Sequence, residues 1–434
     1  MKARRLSVLI FLVLMGCQAA QEKENTGANL IKQKESAQYQ QDMLAREWQM
    51  VSEKMAGLGP WLMSQPGVLK DDPQVVSDGY RYLYTLLYAG INNHLLNADP
   101  DRPKFISNWD DLAAWGCNQR DAIFRCANID PNGIYRVVCK PQGGLPVTAT
   151  FQAMNNFWVT EEGGKTLSTR NIYDYKANED GSYEVILSKE KPVDGNFFQL
   201  SDSTTGIIIR EYIADDETQK RFRLSIERID QPLTIPIESN SGEELAEKLN
   251  NSINMVKNVA LVFLEMTRLM RQTVNGIKVI EDISSYGGSL ENKYYYGSWD
   301  LEPDEVLALE MKPVEAAYWS FTASNFWCQS ISPTDIPKEI NNIDAVTDPD
   351  GKIRILITHN DPGYANWIST GGLKVGTITG RFNYQKEEER VTCKKVKLSD
   401  LETVMAENSV KVTSAEREEN LRKTRMEVLD RINR

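Results

Sequence analysis

The chain has 434 residues, 41% of them hydrophobic and 26% charged, which is enough apolar mass for more than one ordinary domain and too much for a disordered chain. Its formal charge of −11 repels phosphate backbones, so no nucleic acid partner is expected. Only two histidines occur, His94 and His359, which excludes a three-histidine or HExxH centre within one chain; no metal and no cofactor are expected.

Residues 1–16 read as a signal peptide. Lys2, Arg4 and Arg5 precede the apolar run 6–15, which is too short to cross a hydrocarbon core of ~30 Å. The run ends in Leu14-Met15-Gly16-Cys17, which resembles the bacterial lipobox. That resemblance implies acylation of Cys17, palmitate included, and a stable membrane anchor of two or more chains. Gln18 rather than Asp follows, which implies an outer-membrane lipoprotein facing the periplasm. Residues 17–40 carry few large apolar side chains and read as a flexible tether.

Residues 41–110 form the expected N-terminal helical region. Val76, Tyr80, Leu83, Leu87 and Ile91 recur at three- and four-residue steps across a helix predicted from Asp71 to Leu96, with Pro73 tolerated in its first turn. Its tyrosines, Tyr80, Tyr82, Tyr84 and Tyr88, read as packing or interface. A first β-unit is expected over 111–238 and a linking helix over 239–275. That helix is marked by Ser241 and Glu244 at capping-box spacing and by a 3.6-residue apolar repeat to Gln272. A second β-unit follows over 276–400, and 401–434 holds a C-terminal helix opened by Thr413 and Glu416. Asp130-Pro131-Asn132-Gly133, Glu179-Asp180-Gly181 and Asp348-Pro349-Asp350-Gly351 read as hairpin turns, because glycine accepts positive φ.

The chain is internally similar. Asn156-Phe157-Trp158 recurs as Asn325-Phe326-Trp327, Asp180-Gly181 as Asp350-Gly351, Pro192 as Pro362, Asn196 as Asn366 and Arg210 as Arg381, at offsets drifting only from 169 to 171. The expected fold is therefore mainly β with helices (α+β): two antiparallel β-units from a tandem duplication, joined by a long helix, with helices at both ends.

Beyond Cys17 there are five cysteines, so at most two bridges form and one thiol is left over. Candidate pairs are Cys328 with Cys393, and Cys117 with Cys126 or Cys139. The alternative is that all five are small buried apolar side chains.

The segments Tyr318-Trp319-Ser320-Phe321-Thr322, Asp350-Gly351 and His359-Asn360-Asp361-Pro362-Gly363, followed by Asn366-Trp367, resemble the bacterial domain-of-unknown-function family numbered 1214, itself related to family 1254. Asp78 to Leu83 and Asn97 to Pro103 resemble the helical lead-in of its long members. The chain departs from many relatives in the turn Gly116-Cys117-Asn118-Gln119-Arg120-Asp121. The resemblance implies jelly-roll-like sandwiches or barrels and no agreed reaction.

His359 beside Asp361 has the composition of a general base and its orienting carboxylate, and Asn366 and Trp367 could grip a polar ring. The first repeat has Lys189 and Phe197 in place of His359 and Trp367, so what both copies share is expected to be architecture. Arg381 and Arg210 are candidates to pair with buried carboxylates or to bind an anion. The aromatic run Tyr294-Tyr295-Tyr296 with Trp299 could stack sugars, but alternation splits such runs between core and surface. Two functions follow as expectations: an envelope lipoprotein binding a glycan, lipid or protein partner between its β-units, or a periplasmic hydrolase, with or without assistance from a metal, working in the second β-unit through His359 and Asp361.

Overall fold

Alternation of apolar and polar residues places one face of each strand in a core. The computed structural model describes residues 36–109, 113–232, 241–331, 336–387 and 390–432. The signal peptide, Cys17 and the tether up to residue 35 lie outside the described residues. The described residues fall into two compact units, a smaller one from within 36–56 and 241–247 and a larger one from within 57–232 and 248–432. In the smaller unit, the capping box forms as expected. Ser241 N donates to Glu244 Oε2 at 2.9 Å and Glu244 N to Ser241 Oγ at 3.2 Å. Helix α1 (36–63) begins inside the span expected to be tether.

Helix α2 (Pro73–Ile91) is capped by Asp72, whose Oδ1 accepts from Gln74 N at 2.9 Å and Val75 N at 3.2 Å. Asp72→Ala is expected to cost about 1 kcal/mol in urea unfolding. Of its tyrosines, Tyr82 is buried and Tyr80, Tyr84 and Tyr88 are exposed. The expected helix to Leu96 loosens into a π-turn at Asn92–Leu96, which carries His94 inward to the Phe157 carbonyl at 3.1 Å. Burial pushes the His94 ring down to about 4, so it stays neutral. Helices α3 (Gly242–Arg271) and α4 (Ser414–Ile432) follow further along the chain. Thr413 and Glu416 cap α4 reciprocally, at 2.9 and 3.3 Å. Among the described residues no helix is long and apolar enough to cross a membrane.

Most strands pair antiparallel, and among the described residues they form four sheets, all in the larger unit. One five-stranded sheet runs in the order β1 (Ile106–Trp109), β2 (Ala122–Asn128), β8 (Gly206–Tyr212), β4 (Thr148–Met154), β5 (Thr166–Asn171). The other runs β10 (Gly276–Ile280), β11 (Asn292–Asp300), β17 (Val375–Asn383), β13 (Tyr318–Ser324), β14 (Glu339–Asn341). The four-stranded sheets are β7 (Asn196–Gln199), β6 (Tyr183–Ser188), β3 (Tyr135–Lys140), β9 (Arg223–Arg228) and, further along the chain, β16 (Trp367–Ser369), β15 (Ile353–Thr358), β12 (Glu305–Met311), β18 (Thr392–Lys397). Every strand of the first half occupies the sheet position of the strand nine further on. In each half the five- and four-stranded sheets sandwich one core, the first around Phe151, Ile207 and Val137, the second around Phe321, Ile378 and Leu309.

Three expectations are corrected. The turns at 130–133, 179–181 and 348–351 each join strands of different sheets, so they are sandwich corners rather than hairpins. Gly181 and Gly351 do take φ of +78° and +81°; a tight reversal is local chemistry and does not say with which strand the chain next pairs. β1 lies within the span assigned to the helical region. The described cysteines Cys117, Cys126, Cys139, Cys328 and Cys393 are all free thiols. Cys328 cannot meet Cys393, because it packs beside Cys117, whose N–H donates to its carbonyl at 2.6 Å, while Cys393 sits on β18 near the Asn275 carbonyl. Cys126 faces the Asn93 and Asn108 amides, and Cys139 is in the first core.

The central strands are buried on both faces. On β8, Ile207 and Ile209 enter the core, and Ile208, Arg210 and Tyr212 point to the opposite face. β17 likewise sends Ile378 and Phe382 inward and Thr377, Thr379 and Arg381 outward. Those second faces meet one another: the rings of Tyr212 and Tyr318 lie 4.8 Å apart, and Asn292 donates to the Tyr212 hydroxyl at 3.1 Å. The halves therefore join through a buried, polar layer of threonines, tyrosines, amides and arginines.

Candidate functional site

At one margin of that layer lies a groove of about 300 Å³, bounded by the 214–216 loop, β14 and its flanks, Trp367 and one side of α4. Arg417 fixes α4 there. Its guanidinium pairs with Asp361 at 3.0 Å, donates to the carbonyls of Ala365 and Tyr364, and lies 5.2 Å over the Trp367 ring.

Glu339 lines the groove, and behind it, fully buried, lies a second carboxyl group, Asp121, from the opposite half. Asp121 precedes β2, and Glu339 opens β14. The Tyr318 hydroxyl lies 3.1 Å from Asp121 Oδ2 and 3.2 Å from Glu339 Oε1. Asp121 also accepts from Asn341 Nδ2 at 2.6 Å and from Arg120 Nε at 2.8 Å, so its negative charge is well held. Glu339 Oε2 accepts from the Arg120 backbone N–H at 2.8 Å and Thr322 Oγ1 at 3.1 Å. Burial, and then the Asp121 charge, push the Glu339 carboxyl up to about 7. A phenol has one proton to give. The consistent arrangement is a relay in which protonated Glu339 donates to Tyr318 and Tyr318 donates to ionised Asp121. Such a carboxyl can deliver a proton near neutral pH, the requirement for a general acid. Among the described residues no cluster of three His, Cys, Asp or Glu side chains suits a metal ion.

The residues singled out from sequence scatter. His359 is held at both nitrogens, Nε2 on the Leu301 carbonyl at 3.0 Å and Nδ1 on Thr370 Oγ1 at 2.8 Å. Asp361 binds the Gly363 N–H and Arg417 instead, so the structure does not join the two as a dyad. Asn366 accepts from Val346 N at 2.8 Å and donates to the carbonyls of Val346 at 2.7 Å and Arg354 at 2.9 Å. Asn196 makes the same three bonds, to Lys176 twice and to Glu184, so this side chain is architecture in both halves. Trp367 alone of the group lines the groove. Tyr294 and Tyr296 stack at 5.9 Å on the buried inter-half face, and Tyr295 and Trp299 enter the core, so none of these rings is open to a sugar. Arg381 is buried in the same layer.

Residues 300–382 match the family described as a protein of unknown function, DUF1214. The DUF1214 segment runs from the last residue of β11 through β12 to β16 and nearly all of β17, and includes Tyr318 and Glu339. An uncharacterised protein from Burkholderia cenocepacia has a similar crystal structure, with TM-score 0.77 and 24% identity over 83% of this chain and 99% of the other. That likeness establishes a shared fold. The VPA0106 protein from Vibrio parahaemolyticus aligns over 72% of this chain and 97% of its own, with 11% identity and TM-score 0.41. No curated protein matches the sequence.

Proposed function

We propose that the chain is an outer-membrane lipoprotein, anchored through Cys17 and facing the periplasm, whose two jelly-roll-like units arose from one duplicated β-unit and bind a glycan in the groove beneath α4. The lining of the groove carries the reading. Arg120, Lys338 and Lys423 stand among Asp215, Asp344 and Glu427, with the Trp367 indole at the edge. Charges of both signs suit a neutral ligand whose hydroxyls both donate and accept, better than a polyanion or an acyl chain.

The test is calorimetric titration of the full-length chain in detergent with a peptidoglycan-derived disaccharide. Asn420 is exposed on α4 at the groove, and Asn420→Trp fills it. Binding by the wild type that weakens about tenfold or more in the variant is the expected result. Absence of binding to such glycans by the wild type sinks the reading.

The raised carboxyl of Glu339 favours a second reading, a hydrolase in which Glu339 supplies the proton to a leaving group. In that case Glu339→Gln abolishes turnover of the same disaccharide and leaves its binding intact. A wild type that binds the disaccharide and never cleaves it rules this reading out.

A further inference from the structure

The inter-half layer contains two buried cations of unusual surroundings. Arg210 and Arg381 stand on the central strands β8 and β17 at corresponding positions, and their residues are only 4% and 5% exposed. Guanidinium does not deprotonate in proteins, so both carry full charge. Arg210 donates to the Tyr294 hydroxyl at 3.1 Å, Gln152 Oε1 at 2.9 Å and the Gly287 carbonyl at 3.3 Å, and its Nε has no partner. Arg381 donates to Gln119 Oε1 at 2.7 Å and to the Cys117 carbonyl. Every one of these acceptors is neutral.

Two other arginines whose side chains are largely covered behave differently. Arg228 pairs with Asp101, Asp130 and Asp230, and Arg354 with Glu310, Asp348 and Asp350. A buried charge without a counter-charge is costly, because neutral dipoles recover only part of the lost hydration. The two arginines also converge. Tyr294 is the β11 register partner of Arg381, and its hydroxyl receives Arg210. Both border one cavity of about 40 Å³, which Tyr296 and Gly287 also line. That volume admits a few water-sized groups.

We propose that Arg210 and Arg381 form a binding site for a small oxyanion, a carboxylate or phosphate head group, held in this cavity between the two halves. The site is distinct from the groove beneath α4. The anion supplies the missing counter-charge, and the planar donor forks of two arginines suit an oxygen-rich head. Binding there also ties the first half to the second, since each contributes one cation.

Inorganic phosphate is the probe. The full-length chain in detergent is titrated with phosphate at fixed ionic strength, chloride replacing it in the control, and the unfolding midpoint is followed. Phosphate is expected to raise the midpoint by several degrees, as mass action requires of a ligand that binds only the native state. Arg210→Gln and Arg381→Gln are each expected to weaken the apparent affinity about tenfold or more. Arg136→Gln, which breaks an exposed pair with Glu227, leaves it unchanged. Because either core variant could fail to fold, a wild-type crystal soaked in selenate provides a second readout, with an anomalous peak expected within hydrogen-bond reach of both guanidiniums. Glycerol 3-phosphate in place of phosphate tells whether the head group is taken free or on a larger molecule. A midpoint that does not respond to phosphate together with an empty anomalous map, or a phosphate effect unchanged in both core variants, overturns the proposal.

Discussion

Glu339→Gln is expected to make the protein more stable than the wild type at pH 8 and to remove a pH dependence that the wild type shows between about pH 4.5 and 7. An unfolded glutamate titrates near its ordinary value, whereas in the native chain burial and Asp121 push Glu339 up to about 7. Between those values the native state holds a proton that the unfolded state has lost. Stability contributed by this group is therefore complete below about pH 4.5 and disappears as the pH rises through 7. The span corresponds to roughly 3 kcal/mol at 1.36 kcal/mol per pKa unit. Glutamine imitates the protonated acid at every pH. Its carbonyl keeps the bonds from Arg120 N and Thr322, and its amide donates to Tyr318, which still donates to Asp121. Urea unfolding at pH 5, 6, 7 and 8 checks this. The neutral His94 works in the opposite direction, since a depressed histidine loses the chain stability as pH falls from 6.5 toward 4. That contribution is common to both proteins and cancels in their difference. Parallel stability curves for wild type and variant would show Glu339 to be ionised throughout and would remove the basis of the hydrolase reading.

Much of the fold was legible because its signals are local. The Ser241 and Thr413 capping boxes mark the starts of α3 and α4, and the recurring Asn-Phe-Trp, Asp-Gly and Asn anchors fall at corresponding places in the two sets of sheets. The second faces of the central strands were not legible. Thr148, Thr150 and Gln152 on β4, like Thr377 and Thr379 on β17, alternate with core residues, which is the pattern of a solvated strand face, yet all five are buried. Alternation identifies the face that meets an apolar core. It cannot announce that the polar face will be covered by another polar face.

The candidate site was hidden for the same reason. Arg120 and Glu339 stand 219 positions apart, and no spacing singles out Glu339 or Asp121 among 61 acidic residues. His359 and Asp361 were conspicuous through proximity in the chain, but a strand end directs them to different partners, the Leu301 carbonyl and Arg417. The repeat was the better guide. Asn366 has a counterpart in Asn196 with the same bonds, which identifies it as architecture, while Glu339 and Tyr318 gain their setting only where the halves touch. Arg210 and Arg381 were candidates either to pair with buried carboxylates or to bind an anion, and their neutral surroundings emerge only from the packed interface.

Arg125→Ala is expected to cost roughly 3–5 kcal/mol, the range for removing one partner of a buried ion pair. Arg125 on β2 pairs with Glu211 on β8, a fully buried carboxylate that also accepts from Phe222 N at 2.6 Å. Burial already pushes the Glu211 carboxyl up while Arg125 opposes it, so without the arginine the group takes a proton to escape the uncompensated charge. The loss should accordingly be smaller at pH 5 than at pH 8. The second half contains the comparison that tests the argument. Phe124 pairs in register with Arg210, and Tyr294 with Arg381, so the next positions along, Arg125 and Glu211, correspond to Tyr295 and Phe382. There the ion pair is replaced by two rings 4.9 Å apart within the core. A buried ion pair exchanged for well-packed apolar groups is often neutral. The double variant Arg125→Tyr/Glu211→Phe is therefore expected to retain more stability than Arg125→Ala. It still pays for the Phe222 amide left without an acceptor, about 1–3 kcal/mol. Urea unfolding of both variants at pH 5 and 8 decides the matter. A double variant less stable than Arg125→Ala would mean that the two sandwiches, alike in sheet order, are packed too differently to exchange even corresponding pairs.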